Sequence, residues 1–280
     1  MHKKAHDPHR QSGKMAVPPS HYSNHYTDRH PGRYPIVDAA RGAAIVLMFV
    51  YHFMFDLRYY NVVAIDFNND PVWLGLRTLI VSLFLGVMGV SLHLATASGI
   101  NQRTFMRRLL QVMGCVALVS ISSYMMFPKS MIFFGILHFI AAASVLGLLF
   151  YRWFWVNLGV GVALIVVGLT MQHPWFDQPG WQWIGLMTHK PVTEDYVPLL
   201  PWFGVVLLGL FVGKWIFSSP PPFIRLAGLA EPWGKNLVQW QGKTRLSRLL
   251  VFGGKHSLPI YMLHQPVFFA ILYLFFGLNG

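Results

Sequence analysis

Apolar residues in this chain run in long blocks separated by short polar turns. Seven blocks approach the roughly 20 residues that a membrane-spanning helix needs. They cover 38–58, 72–96, 107–127, 131–151, 154–171, 198–217 and 256–277, the fifth being the shortest. There is no internal repeat. The pattern predicts an all-α membrane protein, a polytopic bundle of about seven transmembrane helices. One membrane domain is expected over 34–280, preceded by a polar, histidine-rich tail over 1–33.

The first block carries the most informative polar positions. It reads Asp38-Ala-Ala-Arg41-Gly42 and continues through an apolar stretch to Tyr51-His52 and Asp56. A helix turns about 100° per residue, so Asp38, Arg41, His52 and Asp56 share an arc of roughly 60°. Ionisable groups within a bilayer are costly and face a bundle interior or a water-filled site. Arg41 and His52 stand about 16 Å apart along the axis. A single polar stripe is therefore expected to link the membrane surface to its interior.

Composition agrees with this pattern. The chain is 54% hydrophobic and 11% charged, with a mean hydropathy of +0.46. Soluble domains carry about 25% charged residues. The net charge of +12 is explained by sidedness rather than by nucleic-acid binding, because the basic loops are scattered between apolar spans. With the N-terminus inside, 18 of the 22 Lys and Arg residues fall on the inner side. The positive-inside rule then predicts an N-in, C-out orientation. The one cysteine, Cys115, lies in the third block and reads as a packing residue. Residues 1–33 lack the apolar core of a cleavable signal and read as a disordered, basic cytoplasmic tail. Their six histidines lack the spacing of a structural metal site, and no metal is expected.

Several residues could carry chemistry. His52 suits general-base work, because imidazole titrates near neutrality. Asp56, one helical turn on, is placed to orient it. Arg41 reads either as a membrane-surface anchor paired with Asp38 or as a phosphate ligand. Gly42 beside it permits close approach of a backbone or a ligand. In the last block Ser257, Tyr261, His264 and Gln265 fall within about 100° of one another. Pro266 is expected to kink that helix beside His264. His138 is a third intramembrane histidine, with interhelical bonding and site roles both open. Trp202 follows Pro198 and Pro201 at a helix start, where proline is tolerated. No nucleotide loop, dinucleotide glycine pattern, zinc-ligand spacing or serine elbow occurs.

Two connections are long. The outer one, 172–197, holds Trp175, Trp181 and Trp183 and reads as an interfacial cap or a lid. The inner one, 218–255, includes the basic amphipathic stretch 243–252, suited to lying along the inner leaflet.

The run Arg33-Tyr-Pro-Ile-Val-Asp38-Ala-Ala-Arg41-Gly42 with Tyr51-His52 and Asp56-Leu57 resembles bacterial relatives of the heparan-alpha-glucosaminide N-acetyltransferase catalytic domain. So do Asp195-Tyr-Val-Pro-Leu-Leu-Pro-Trp202-Phe-Gly204 and Ser257-Leu-Pro-Ile-Tyr261-Met-Leu-His264-Gln265-Pro266. The resemblance covers about residues 33 to 277. The Arg41–His52 spacing also looks like the first helix of the wider membrane acyltransferase superfamily. The resemblance implies acyl transfer from acyl-CoA, with acetyl-CoA as donor, to a glycan or another envelope acceptor. It points to a multi-pass protein of a bacterial inner membrane. Arg41 would hold the phosphates of CoA and His52 would deprotonate the acceptor, oriented by Asp56. His264 or Gln265 would donate to the developing oxyanion. A proton-coupled transporter also suits buried His and Asp residues, and a non-catalytic assembly subunit is the third reading.

Overall fold

The structure, a computed structural model, describes residues 33–97, 99–218 and 232–277. The expected tail, apart from Arg33, and the proline-rich part of the 218–255 connection fall outside the described residues. The described residues are helical, with one isolated β-bridge. In chain order the helices are α1 (Pro35–Tyr59), α2 (Pro71–Thr96), α3 (Gln102–Met126), α4 (Ile136–Phe150) and α5 (Phe154–Thr170). There follow α6 (Leu199–Phe217), α7 (Pro232–Gln239), α8 (Arg245–Lys255) and α9 (Ser257–Leu272).

Five of these are long and apolar enough to cross a membrane: α1, α2, α3, α6 and the last helix, counted through Phe276. Helices suit lipid because each satisfies its own backbone hydrogen bonds. The apolar helices α4 and α5 are shorter, at 15 and 17 residues. At 1.5 Å per residue they extend only about 22 and 25 Å, against a hydrocarbon core of about 30 Å.

The fourth expected span starts late for a physical reason. Residues 131–135 are not helical, because their backbone is committed elsewhere. Phe134 bridges in parallel to Tyr196, and Val197 N–H donates to Phe134 O at 3.1 Å. Glu194 N–H donates to Ser130 O, and Thr193 Oγ1 donates to Met131 O at 2.9 Å. The 172–197 connection is thus stitched to the segment before α4. It also contains two short 3-10 turns, Pro174–Asp177 and Gln182–Ile184.

Two apolar cores hold the helices. One joins Leu85 and Leu92 of α2, Phe139 and Ala143 of α4, and Phe203, Val206, Leu207 and Leu210 of α6. The other joins Ile45, Met48 and Tyr51 of α1 with Phe67 and Ile80, and packs against Ile260 and Tyr261 of α9. Small residues set the closest crossings, as is usual where lipid supplies no hydrophobic contrast between helices. A Cβ on Gly42 would overlap the Leu250 carbonyl, and one on Gly254 would overlap the Asp38 carbonyl. These two pairs make α8 run antiparallel to α1. After a break at His256, α9 runs parallel to α1, with His264 beside Phe49 and Phe269 beside Tyr59.

The amphipathic stretch of the 218–255 connection is helix α8. It packs through Leu250 and Gly254 while exposing Leu246, Leu249 and Phe252 with Arg245 and Arg248.

Candidate functional site

The parallel packing of α9 on α1 places the two polar stripes against each other. Gln265 Nε2 donates to His52 Nδ1 at 2.9 Å. The rings of His52 and His264 have centroids 5.0 Å apart and meet at 64°. Asp56 lies in the same region with none of its surface exposed. His52, His264, Gln265 and Asp56 form a buried polar cluster inside two apolar helices.

The cluster has aromatic walls. Phe49 stacks on His264 at 5.7 Å, and Phe268 meets the same ring edge-on at 5.9 Å. Phe49 stands three residues before His52, and Phe268 four residues after His264. Both helical spacings put the apolar wall on the polar face. That signal lies in the sequence, but a phenylalanine in an apolar block carries no pattern that singles it out.

One expected contact does not form. Asp56 was placed to orient His52 directly, yet neither of its oxygens has a hydrogen-bond partner. His52 Nδ1 is taken by Gln265 instead. Gln265 is also the polar group that faces Asp56, close enough for electrostatic contact without hydrogen-bond geometry. The i, i+4 spacing allows two side chains to meet. Here the packing of α9 offered His52 a different partner.

Two further buried polar atoms shape the site. His264 Nε2 and Gln265 Oε1 lack hydrogen-bond partners, as do both Asp56 oxygens. A buried unpaired polar group costs about 1–3 kcal/mol. Four such atoms within one cluster are a reason to expect a polar guest there. His264 Nδ1, by contrast, lies 2.5 Å from the Tyr261 carbonyl.

Arg41 lies at the other end of α1 and is not brought to His52. Its Nη1 donates to Asp38 Oδ1 at 3.3 Å and to the Gly254 carbonyl at 3.2 Å. Its Nη2 donates to Ser91 Oγ at 2.6 Å. The guanidinium therefore ties α1, α2 and α8 together, and its side chain keeps 23% exposure. Ser91 was not singled out by the sequence, because a lone serine in an apolar helix carries no pattern. Gly42 accommodates the α8 backbone, which satisfies the backbone half of its expected role.

Of the remaining candidates only Tyr261 borders the cluster. Tyr261 is adjacent, its ring 5.5 Å from His264. Ser257 opens α9 two turns earlier. Trp202 packs against the α2–α4–α6 core. His138 is fully engaged: its Nδ1 accepts from Gly135 N–H at 3.3 Å, and its Nε2 meets Ser120 Oγ at 3.1 Å. Next to it, Asp195 Oδ2 accepts from Ile136 N–H at 2.8 Å and closes the open end of α4. Burial raises the Asp195 carboxyl above the usual carboxylate range, against weaker opposing hydrogen bonds and the Lys190 charge. Among the described residues no group of three His, Cys, Asp or Glu could hold a metal ion.

No curated protein and no solved structure shows a significant match to the chain. Residues 33–266 match the family profile described as heparan-alpha-glucosaminide N-acetyltransferase, catalytic. That stretch contains Arg41, His52, Asp56, His264 and Gln265 and spans more than half of the chain, so this protein belongs to the heparan-alpha-glucosaminide N-acetyltransferase catalytic domain family.

Proposed function

We propose that this protein moves an acetyl group from acetyl-CoA to a glycan or another envelope acceptor, at the buried cluster where α1 meets α9. The family makes it a transferase. The observation that carries the site is the set of partnerless buried atoms on Asp56, His264 and Gln265 beside His52. An acceptor N–H or O–H would donate to these atoms, and a thioester carbonyl would accept from a ring N–H of the histidine pair.

A histidine of the pair takes the acceptor's proton as the acceptor attacks the thioester carbon. A positioned donor stabilises the charge on the carbonyl oxygen. The C–S bond then breaks, and the histidine returns the proton to the thiolate. Proton transfer of this kind contributes about 10²–10⁴-fold to a rate.

Donor binding is assigned to the other end of α1. Arg41 keeps 23% exposure there and meets the Gly254 carbonyl of α8, the helix that also exposes Arg245, Arg248 and Lys255. These cations suit the phosphates of CoA. The roughly 16 Å between Arg41 and His52 would be spanned by the pantetheine arm.

The apolar blocks favour seven spans, the basic residues an N-in, C-out orientation, and the resemblance a bacterial inner membrane. Donor and acceptor would then approach from opposite sides. Purified protein incubated with labelled acetyl-CoA and an envelope extract tests donor and acceptor together. Labelled product is expected, and its absence rejects the reading. Reporter fusions at both termini test the orientation, which an outward N-terminus would reject.

A further inference from the structure

We infer that His264 is the general base of this site and that His52 is the hydrogen-bond donor to the acyl carbonyl. The inference rests on the acyl-transfer reading and reverses the roles that the first helix suggests on its own.

The argument follows the protons. A backbone carbonyl can only accept. The 2.5 Å contact between His264 Nδ1 and Tyr261 O therefore requires the proton on Nδ1. In a neutral imidazole the other nitrogen is then a bare lone pair. That nitrogen, Nε2, is buried and has no partner, and the whole residue is 6% exposed. A proton acceptor stands ready with nothing on it.

His52 is held in the opposite tautomer. An amide nitrogen only donates, so Gln265 Nε2 places a hydrogen on His52 Nδ1. In the neutral ring the proton of His52 is then on Nε2. No protein group among the described residues accepts it. His52 thus offers an N–H where His264 offers a lone pair, with ring centroids 5.0 Å apart. A thioester reaction needs this pair of opposites: one group to take the acceptor's proton, one to donate to the carbonyl oxygen.

Gln265 is a positioning residue in this arrangement. One amide hydrogen fixes the His52 tautomer, and the amide faces the Asp56 carboxyl. Asp56 acts on His52 through Gln265, which explains its position one turn away without direct contact. Phe49 and Phe268 hold the His264 ring on two sides.

Proton flow balances. The acceptor's hydrogen passes to His264 Nε2 as the new bond to the acyl carbon forms. His52 Nε2–H hydrogen-bonds to the carbonyl oxygen and keeps its proton. When the C–S bond breaks, the His264 proton goes to the departing thiolate, giving CoA thiol and acylated acceptor.

The test has a spectroscopic arm and a kinetic arm. Nitrogen-15 NMR of membrane-reconstituted protein labelled at histidine, with signals assigned by His52→Gln and His264→Gln, reads the tautomers without any substrate. Expected are a proton on Nδ1 of His264 and on Nε2 of His52. In turnover of labelled acetyl-CoA with envelope extract, His264→Gln should fall by about 10²–10⁴-fold. His52→Gln, which keeps an N–H donor, should lose much less. Hydroxylamine, a small nucleophile that needs little help from a base, should restore acetyl transfer to His264→Gln more than to His52→Gln. Reversed tautomers, or a greater loss in His52→Gln, would overturn the base assignment while leaving acyl transfer standing. Wild-type protein that transfers no acetyl group would overturn both.

Discussion

Two polar clusters lie inside this helical protein, and they differ in how their hydrogen bonds close. At the start of α4, Asp195 accepts from the Ile136 amide, His138 uses both ring nitrogens, and Ser123 Oγ accepts from the Ile132 amide. At the α1–α9 contact, Asp56, His264 and Gln265 retain atoms with no partner. Both clusters contain a histidine and a carboxyl, Asp56 fully buried and Asp195 half-buried. The first is complete in itself and joins a loop to a helix. The second is not closed by the protein's own groups. A partnered network is accounted for by the fold, whereas an unpartnered one needs a further reason to persist. A buried histidine is therefore not evidence of a site until its two nitrogens have been accounted for.

The contrast predicts that changes at the α1–α9 cluster act on catalysis and changes at the α4 cluster act on stability. The largest effect is expected for His52→Ala combined with His264→Ala. Acetyl transfer should fall by about 10³-fold or more, since both acid–base help and a carbonyl donor are removed. The midpoint of thermal unfolding in detergent should move little. A matching loss of stability would erase the distinction.

Asp195→Ala should show the opposite profile. It removes the acceptor of the Ile136 amide, leaving a buried donor unpaired, and should cost about 1–3 kcal/mol of stability. Turnover per folded molecule should stay near wild type. Thermal unfolding and specific activity on the same sample check both halves.

Asp56→Asn should lower activity by about tenfold, roughly 1.4 kcal/mol in the barrier. Its effect should largely disappear in a Gln265→Leu background. Residues acting through one path are non-additive. Additive losses in that double-mutant cycle would break the path from Asp56 to His52.

The smallest effect concerns pH. The Asp195 carboxyl is raised by burial. A raised acid binds its proton more tightly in the folded state. Its contribution is full below the ordinary carboxylate range and is lost as pH rises through the folded value. Wild-type stability relative to Asp195→Asn should therefore decline across that rise. A difference that is flat with pH, or that grows, would contradict the buried environment assigned to this group.

The helices were legible in the sequence wherever the apolar block was long. α1, α2 and α6 begin and end within a few residues of the expected blocks. α4 was not, because residues 131–135 are as apolar as a span but spend their backbone hydrogen bonds on the 193–197 segment. Composition could not reveal that pairing, since the partner lies about sixty residues away. The candidate residues His52, Asp56, His264 and Gln265 were also legible, as polar positions on single helix faces. Their pairing was not. The i, i+4 rule offered Asp56 to His52, and the neighbouring helix delivered Gln265.

The sequence by itself determined that apolar helices would form and that each polar stripe would turn away from lipid. Both follow from local physics: a helix closes its own backbone bonds, and its period is fixed at 3.6 residues. Only the tertiary structure decided which stripe meets which, and hence where each imidazole proton sits. A tautomer is set by the atom across the gap. For His52 that atom belongs to a residue 213 positions away, and for His264 it is a carbonyl of its own helix.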